Sequence, residues 1–341
     1  MKTFFSIILL SILLFSCGTS KKLSVATISS IYIEYNSEQN LNFGNEFEGE
    51  IIARLIDGNE VKVTHNKKVK FTTTDFIRGT KKNTFIISKS PRSFNDDSLF
   101  VTFTFTYKEE VFTSTQSIKL NFKGPLNIDK KGGNGTNGTK GKDKNTPLVY
   151  RDGNNGDNGT SGTNGSSASD YNVYIWQENG FVFVYMENIN TGLITTYKCL
   201  ENAKITLDVS GGNGGNGGKG GDGGTGKDGK ITDDNKKKRP GNGGDGGDGG
   251  NSGNGGNGGS VFVYIHPSAI KVQENLTILN YSGLGGKLGV FGNSGLAGQP
   301  LSGQPQGING KNGKNGRKGV DGESGERPQI NVIEFDFSIY K

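Results

Sequence analysis

Apolar and polar residues alternate with a period of two along the first third of the chain. In residues 101–107, Val, Phe, Phe and Tyr alternate with threonine, and residues 118–122 repeat the alternation. This period places apolar side chains on one face of a strand and polar side chains on the other. A turn-forming Asp57-Gly58 pair lies between two further apolar runs, which predicts a hairpin. The pattern therefore predicts a β domain over residues 23–125.

This predicted domain resembles the immunoglobulin-like modules that many bacterial surface proteins use as spacers. The resemblance rests on about six or seven short strands in roughly 100 residues and implies a β-sandwich. The cysteine and tryptophan marks of antibody domains are absent from this stretch. The immunoglobulin-like fold is therefore an expectation from the strand pattern alone.

Glycine then replaces the apolar pattern and recurs at every third position in six tracts that form three pairs. The tracts, called tracts one to six, are residues 132–143, 153–165, 211–229, 241–259, 283–298 and 307–325. Three residues per turn is the period of the polyproline II helix, which has no internal hydrogen bonds. Short polar connectors join the members of each pair. The connectors, called connectors one to three, are residues 144–152, 230–240 and 299–306.

The number of glycine phases predicts where each tract lies. Tracts three and four have glycine at two of three phases, so neighbours can approach them closely from two directions. The other tracts have essentially one glycine phase, and we expect them to flank the central pair. Tract five also carries apolar residues, which predicts that β segments cover one of its faces. These residues are Leu288, Val290, Phe291 and Leu296.

The tracts resemble the polyglycine II bundles of snow flea antifreeze protein and of a bacteriophage tail-tip adhesin. They are also similar to bacterial proteins described as collagen-like. The resemblance implies a bundle of six polyproline or polyglycine II helices within residues 127–341. Disorder and a collagen triple helix remain alternatives. The strict phase of tract six argues against disorder, and the lack of proline inside the tracts argues against collagen.

Alternating apolar residues return between the tracts, so the whole chain is predicted to be mainly β, with almost no α-helix outside the signal peptide. Strands are expected within residues 171–209 and 260–282, and again in the tail at 333–339. These strands would cap or flank the glycine tracts. Trp176 is expected in their core, with an exposed contact to sugar as the alternative.

The N-terminus resembles that of bacterial lipoproteins. Residues 1–16 combine a basic Lys2 with a short apolar run, and Leu14 to Cys17 resembles a lipobox. The resemblance implies cleavage before Cys17, lipidation of Cys17 and a polar tether over residues 17–22. Gly18 resembles the sorting pattern for the outer membrane. We expect an outer-membrane lipid anchor, with exposure at the cell surface favoured over a periplasm-facing orientation.

The net charge and the reactive residue types restrict the possible classes of function further. The formal net charge of +6 is dispersed among acidic residues, so nucleic acid is not expected as a partner. No catalytic set, metal site or cofactor motif stands out, and we expect no cofactor. Ser98, in Asp97-Ser98-Leu99, resembles a short O-glycosylation signal of Bacteroidetes. Variable loops on a stiff scaffold tend to carry recognition. Candidate binding residues in the connectors are Tyr150, Arg151, Lys236, Lys237, Lys238 and Arg239.

The sequence therefore predicts a non-enzymatic, outer-membrane-anchored lipoprotein with a structural or adhesive role at the cell envelope. Its expected partners are the membrane, through the lipid anchor, and a surface glycan or protein. A monomer is expected. One alternative is an enzyme or a carbohydrate-processing accessory of the envelope, and a minor alternative is ice binding.

Overall fold

The computed structural model describes residues 28–63, 69–73, 77–81, 83–87, 97–107, 109–147 and 152–340. Over these ranges the protein is mainly β. Its helical segments there are the 3-10 helices Pro267–Asn275 and Phe337–Tyr340. The mainly β fold class expected from the sequence is confirmed.

The N-terminal strands form two antiparallel sheets. The first sheet has the order β1-β2-β6-β5, with β3 beside β2. Its strands are β1 (Ile28–Tyr35), β2 (Glu46–Leu55), β3 (Glu60–Lys62), β5 (Ile77–Lys81) and β6 (Thr84–Ile87). The second sheet has the order β4-β7-β8. Its strands are β4 (Val69–Thr73), β7 (Ser98–Tyr107) and β8 (Glu110–Lys119). The predicted hairpin joins β2 and β3, and Gly58 adopts a φ of 79° in its turn.

Alternation along β2 and β7 builds the core, because the apolar side chains on one face of these strands are buried. Phe85, Phe103 and Phe105 are fully buried and belong to one apolar cluster. Gln116 on β8 also joins the sheets, since its side-chain amide donates to the carbonyl of Ile33 on β1 at 2.7 Å and accepts the Ile33 N–H at 2.9 Å. Two sheets around one core are consistent with a sandwich, and the immunoglobulin class stays a prediction.

The C-terminal half repeats one unit three times: a strand, a tract, a connector, a second tract and a second strand. Tracts one, three and five follow strands of a parallel sheet, in the order β17-β13-β9. These strands are β9 (Leu126–Asp129), β13 (Ile205–Asp208) and β17 (Leu276–Leu279). Each tract therefore prolongs its strand.

Tracts two, four and six lead into the other sheet, ordered β12-β11-β10-β16-β18. Its strands are β10 (Tyr171–Glu178), β11 (Phe181–Asn188), β12 (Ile194–Leu200), β16 (Val261–Ile265) and β18 (Gln329–Val332). Strands β10, β16 and β18 are parallel, and β11 and β12 add an antiparallel edge. The two-residue strands β14 (Lys230–Ile231) and β15 (Lys237–Lys238) lie in connector two. The sheets thus continue the tracts at one end.

Backbone hydrogen bonds arrange the six tracts in two layers. Tracts one, three and five are parallel neighbours in one layer, and tracts two, four and six are parallel neighbours in the other. In the first layer, Gly135 donates to the Asn213 carbonyl at 2.7 Å and Gly217 donates to the Lys287 carbonyl at 2.9 Å. Between the layers the tracts run antiparallel, as where Gly250 donates to the Gly218 carbonyl at 2.8 Å. These bonds recur at every third residue.

Tracts three and four lie at the centre, as their two glycine phases predict. Each is hydrogen-bonded to four other tracts, whereas tracts one and six have two neighbours each. The glycines are needed because a Cβ at Gly218 would collide with the carbonyl oxygen of Thr139, and one at Gly217 with that of Gly250. The repeat of three agrees with polyglycine II helices, and that name stays a prediction.

Two expectations about the tail and tract five are wrong. The strands continue the layers lengthwise and do not cover tract five, so Val290 and Leu296 are exposed by 50% and 62%. The tail is a strand only through Val332. It then crosses the outer face of the sheet, and Phe337 stacks on Trp176 with ring centroids 5.7 Å apart. Trp176 is fully buried, as expected from the sequence.

Candidate functional site

The described residues of all three connectors lie at the same end of the layered tracts, here called the tip. Neighbouring tracts of a layer are parallel, so they lead to their connectors in the same direction. Lys144, at the start of connector one, donates its N–H to the Asp222 carbonyl at 2.9 Å, near the end of tract three. Gly229 donates to the Gln299 carbonyl at 2.8 Å, which places connectors two and three side by side.

The N-terminal β domain contacts the opposite end, at the strands that precede and follow the tracts. Phe122 packs edge-on against Phe181 of β11 at 5.6 Å, and Asp97 forms an ion pair with Lys198 of β12 at 2.9 Å. An extended threefold chain rises about 3.1 Å per residue, so tract three separates the tip from this end by roughly 60 Å. The tip is thus the part of the described structure farthest from the N-terminal domain.

Connector two is a small basic hairpin. Strands β14 and β15 pair antiparallel, and Asn235 takes a φ of 59° in the turn between them. The pairing sets Lys230 directly opposite Lys238. Like charges directly opposite each other on paired strands repel and destabilise the pairing. Lys236 forms an ion pair with Asp234 at 3.0 Å in this exposed turn.

The predicted binding residues of connector two are all exposed at the tip. These residues are Lys236, Lys237, Lys238 and Arg239. Gln304 of connector three donates its side-chain N–H to the Lys238 carbonyl at 3.1 Å. Connectors two and three therefore form one surface. Tyr150 and Arg151 of connector one lie outside the described residues.

The polar residues between the glycines do more than face solvent. Each tract presents an outer column, the phase that points away from the bundle. Asn and Asp side chains in these columns accept backbone N–H groups of the next tract in the same layer: Asn134 Oδ1 from Asn213, and Asn213 Oδ1 from Leu284, both at 2.8 Å. Asn251 Oδ1 accepts from Arg317 at 2.8 Å in the other layer.

These side-chain acceptors satisfy backbone donors that no carbonyl reaches. The non-glycine phase of tracts three and four is exposed, and its Asn and Asp side chains have this second role. The signal that could have revealed it is the preference for Asn and Asp over other polar residues. A short side chain that carries an oxygen spans the gap to the adjacent tract, and the Ser167 hydroxyl accepts the Asn257 N–H in the same way at 3.0 Å.

Of the two predicted modification sites, Ser98 lies within the described residues and is apart from the tip. Ser98 is the half-buried first residue of β7, and it follows the Asp97 that pairs with Lys198. Cys17 lies outside the described residues, so its lipidation stays a prediction. Among the residues that the structure describes, no helix is long and apolar enough to cross a membrane.

Three features of the described residues bear on catalytic chemistry: a cysteine, the acidic and histidine side chains, and a cleft. Cys199 is buried, and burial raises the pKa of its thiol to about 12, so it is not a nucleophile at neutral pH. No group of three or more His, Cys, Asp and Glu side chains is placed to hold a metal ion within the described ranges. A cleft of about 410 Å³ beside β1 and β2 has glutamates on its walls, but Glu50 there is paired with Lys62.

Comparison with family models, curated proteins and solved structures gave no match. Function therefore has to be argued from the geometry of this chain. The two features that can meet a partner are the connector tip and the outer columns of the two layers.

Proposed function

We propose that the protein is a non-enzymatic lipoprotein, held in the outer membrane through Cys17, that serves an adhesive or structural role at the cell envelope. The observation that carries this proposal is the gathering of three connectors at the end farthest from the N-terminal domain. A stiff support that projects loops away from its attachment suits recognition. The partner is a surface glycan or protein, and the exposed cations of connector two favour an acidic one.

The rigidity of the support follows from its hydrogen bonding. Each central tract is tied to four neighbours along its length. Bending one tract would break backbone bonds to several others, so the tip stays at a fixed distance from the N-terminal domain. This is the property that a presenting stalk requires, and a flexible glycine linker lacks it.

The test compares intact cells that produce the full chain with cells that produce a tip variant. The variant replaces Lys236, Lys237, Lys238 and Arg239 with serine. Attachment is counted on a surface coated with alginate, an acidic polysaccharide, and on the uncoated surface. We expect the variant to lose about tenfold in attachment to the coated surface while its amount in the membrane is unchanged.

A matched control removes the same number of positive charges from exposed sites away from the tip. Its substitutions are Lys119, Lys140, Lys271 and Lys287 to serine. We expect this control to attach like the unaltered protein. Equal attachment by the tip variant and the unaltered protein would contradict the proposed role of the tip. Equal losses of attachment in the tip variant and the control would show that attachment depends on net charge and not on the tip.

Ice binding remains a second candidate because of one observation. At the edge where tracts one and two meet, exposed threonines form regular pairs, Thr136 with Thr163 and Thr139 with Thr160, each with 3.1 Å between hydroxyl oxygens. The Thr163 and Thr160 hydroxyls already accept the backbone N–H groups of Thr136 and Thr139. The patch is small, so adhesion is favoured. Thermal hysteresis of the purified protein tests this candidate, and its absence removes it.

A further inference from the structure

The third repeat differs from the first two in its outer columns. Hydrogen-bonded rows across one layer align Asn134, Asn213 and Leu284, so an aliphatic residue replaces asparagine in tract five. Tracts one to four have no aliphatic residue at the described positions of their outer columns. Tracts five and six have aliphatic residues in these columns that are between 50% and 73% exposed. They are Leu284, Val290, Leu296, Ile308 and Val320.

This difference is the reverse of what solubility requires. In a stacked repeat protein the terminal units normally present polar outer faces. Here the terminal repeat is the more apolar one, and the described contacts of the N-terminal domain are with the opposite side of the stack. Strand β18, which prolongs tract six, is exposed along its whole length and is an edge strand of its sheet. The exposed apolar groups lie on both outer faces of this terminal repeat, and their concentration there indicates an interface.

Tract six carries its charges in two separate blocks. Its first half is basic, and its second half, together with Glu326, is acidic up to the basic Arg327. The basic block is Lys311, Lys314, Arg317 and Lys318, and the acidic block is Asp321, Glu323 and Glu326. None of these side chains forms an ion pair with another residue of the described chain. A second tract six in the opposite direction would place acidic residues against basic ones.

The free edge of tract six cannot pair with a further glycine tract, so a partner must contact this edge through side chains. Asn312 Oδ1 and Asn315 Oδ1 accept the N–H groups of Ser294 and Phe291 in tract five, at 2.8 and 3.1 Å. These asparagines occupy the phase where an additional tract would need glycine. Backbone pairing along tract six is thereby blocked, whereas contacts between long charged side chains remain free.

We propose that this edge binds a second copy of the chain, with the two sixth tracts antiparallel. A twofold axis between Lys318 and Gly319 pairs Lys311 with Glu326 of the partner subunit and Lys314 with Glu323 of the partner subunit. The same axis brings Val320 against the stem of Arg317 of the partner subunit. This arrangement differs from the monomer expected from the sequence, and it is independent of the tip.

Two other occupants fit the edge less well. An anionic lipid surface would attract Lys311 and Lys314, but Glu323 and Glu326 of the same column would be repelled. A carboxylate of tract four also lies beside those lysines, since Asp245 Oδ1 accepts the backbone N–H of Lys311 at 2.7 Å. A glycan would be expected to meet several aromatic rings, and the exposed apolar residues of the outer columns are aliphatic apart from Tyr281, which comes just before tract five. A self-complementary edge accounts for both charge blocks.

Cross-linking in intact cells tests the arrangement with the full chain. Lys318→Cys lies beside the twofold axis, and a short thiol-reactive bismaleimide should join two copies as a covalent dimer on a denaturing gel, since the side-chain contacts hold the backbones too far apart for a direct disulfide. Lys140→Cys on tract one, at the far edge, is the matched control and should remain monomeric. Cys199 is buried and common to both variants. Absence of the linked dimer for Lys318→Cys, or equal linking of both variants, would overturn the proposal.

Charge reversal then tests the pairing itself. In the Lys318→Cys background, Lys311→Glu with Lys314→Glu should lower the linked fraction at least tenfold. Adding Glu323→Lys and Glu326→Lys restores opposite charges and should restore linking. These side chains are exposed, and the restored variant shows that any loss did not come from unfolding. If the linked fraction is the same in all three variants, the antiparallel pairing is contradicted. It is also contradicted if the unaltered protein binds phosphatidylglycerol vesicles and the Lys311→Glu, Lys314→Glu variant does not.

Discussion

The N-terminal β domain and the glycine tracts reach a folded state by opposite means. The β domain buries large side chains between two sheets, and its stability comes from apolar surface removed from water. The tracts bury almost no side chains. They bring backbones into contact and are held by hydrogen bonds between tracts at every third residue. One region therefore depends on side-chain volume and the other on its absence.

This contrast predicts opposite responses to substitution. In an ordinary exposed site with compatible backbone angles, Gly→Ala stabilises a protein by about 0.4 to 1 kcal/mol, because the unfolded chain loses freedom. In the central tracts the same change should destabilise, since the new Cβ overlaps a neighbouring carbonyl. In the β core, the damaging change is the removal of volume.

The largest effect is expected for Gly218→Val in tract three. Its side chain would collide with the Thr139 carbonyl and would part tract three from tract one. We expect a loss of more than about 5 kcal/mol, at the upper end for single substitutions, because relief requires the backbone to move. The free energy of unfolding is measured by chemical denaturation. Thr225→Val in the exposed column of the same tract is the control and should change it by less than about 0.5 kcal/mol.

A comparable but smaller effect is expected for Phe103→Ala in β7. Phe103 is fully buried between the sheets, and truncation should cost about 3 to 5 kcal/mol through lost burial and a cavity. Phe100 is on the same strand, with 69% of its surface exposed, so Phe100→Ala is a matched control near zero. Similar losses for both substitutions would mean that the alternation of β7 does not define the core.

The fold could be anticipated where a residue type has one physical reason to recur. Glycine every third residue has no use except close packing of extended chains, so the pairing and the central position of tracts three and four followed from the sequence. The period-two runs similarly indicated strands around Phe103. Both inferences depend on steric requirements that can be recognised from the residue pattern of the segment itself.

Other features could not be anticipated because the local sequence is ambiguous. Asn213 looks like any solvated asparagine until the neighbouring N–H is located. The tail alternates like a strand, yet Phe335 and Phe337 turn to cover the aromatic face of the sheet around Trp176. The apolar residues of tract five suggested a covering layer, whereas they lie on an exposed edge. Each of these depends on what lies beside the segment in space.

A smaller loss of stability is expected when a side chain that accepts a backbone N–H of the neighbouring tract is removed. Asn251→Ala removes the acceptor for the Arg317 N–H and should cost about 1 kcal/mol, because that donor is left to water. Asn251→Asp keeps an oxygen in the same place and should be close to neutral. Asp248 already accepts the Lys314 N–H in this manner, at 2.7 Å. If both variants lose equal stability, the amide nitrogen of Asn251 and not its oxygen is what matters.

The last prediction concerns the pH dependence of stability at Cys199, a buried residue of β12. Burial raises the pKa of Cys199 from 9.0 to about 12, so the unfolded chain ionises at lower pH than the folded one. Its contribution to stability is full below about pH 9 and is lost as pH rises toward 12. Burial also raises the pKa of Tyr197 to about 12, so the test compares the unaltered chain with Cys199→Ala. The unaltered chain should lose more stability over that window, and parallel curves would contradict the assignment.

The most direct test of the central claim is amide hydrogen exchange across tracts three and four. The account predicts slow exchange, comparable to the β core, at the glycine donors to neighbouring tracts, such as Gly215, Gly218 and Gly250. It also predicts faster exchange at the first and last tracts, where donors on the outer edge face water. Uniformly rapid exchange through all six tracts would contradict the account and leave the β strands as the only ordered part of the molecule.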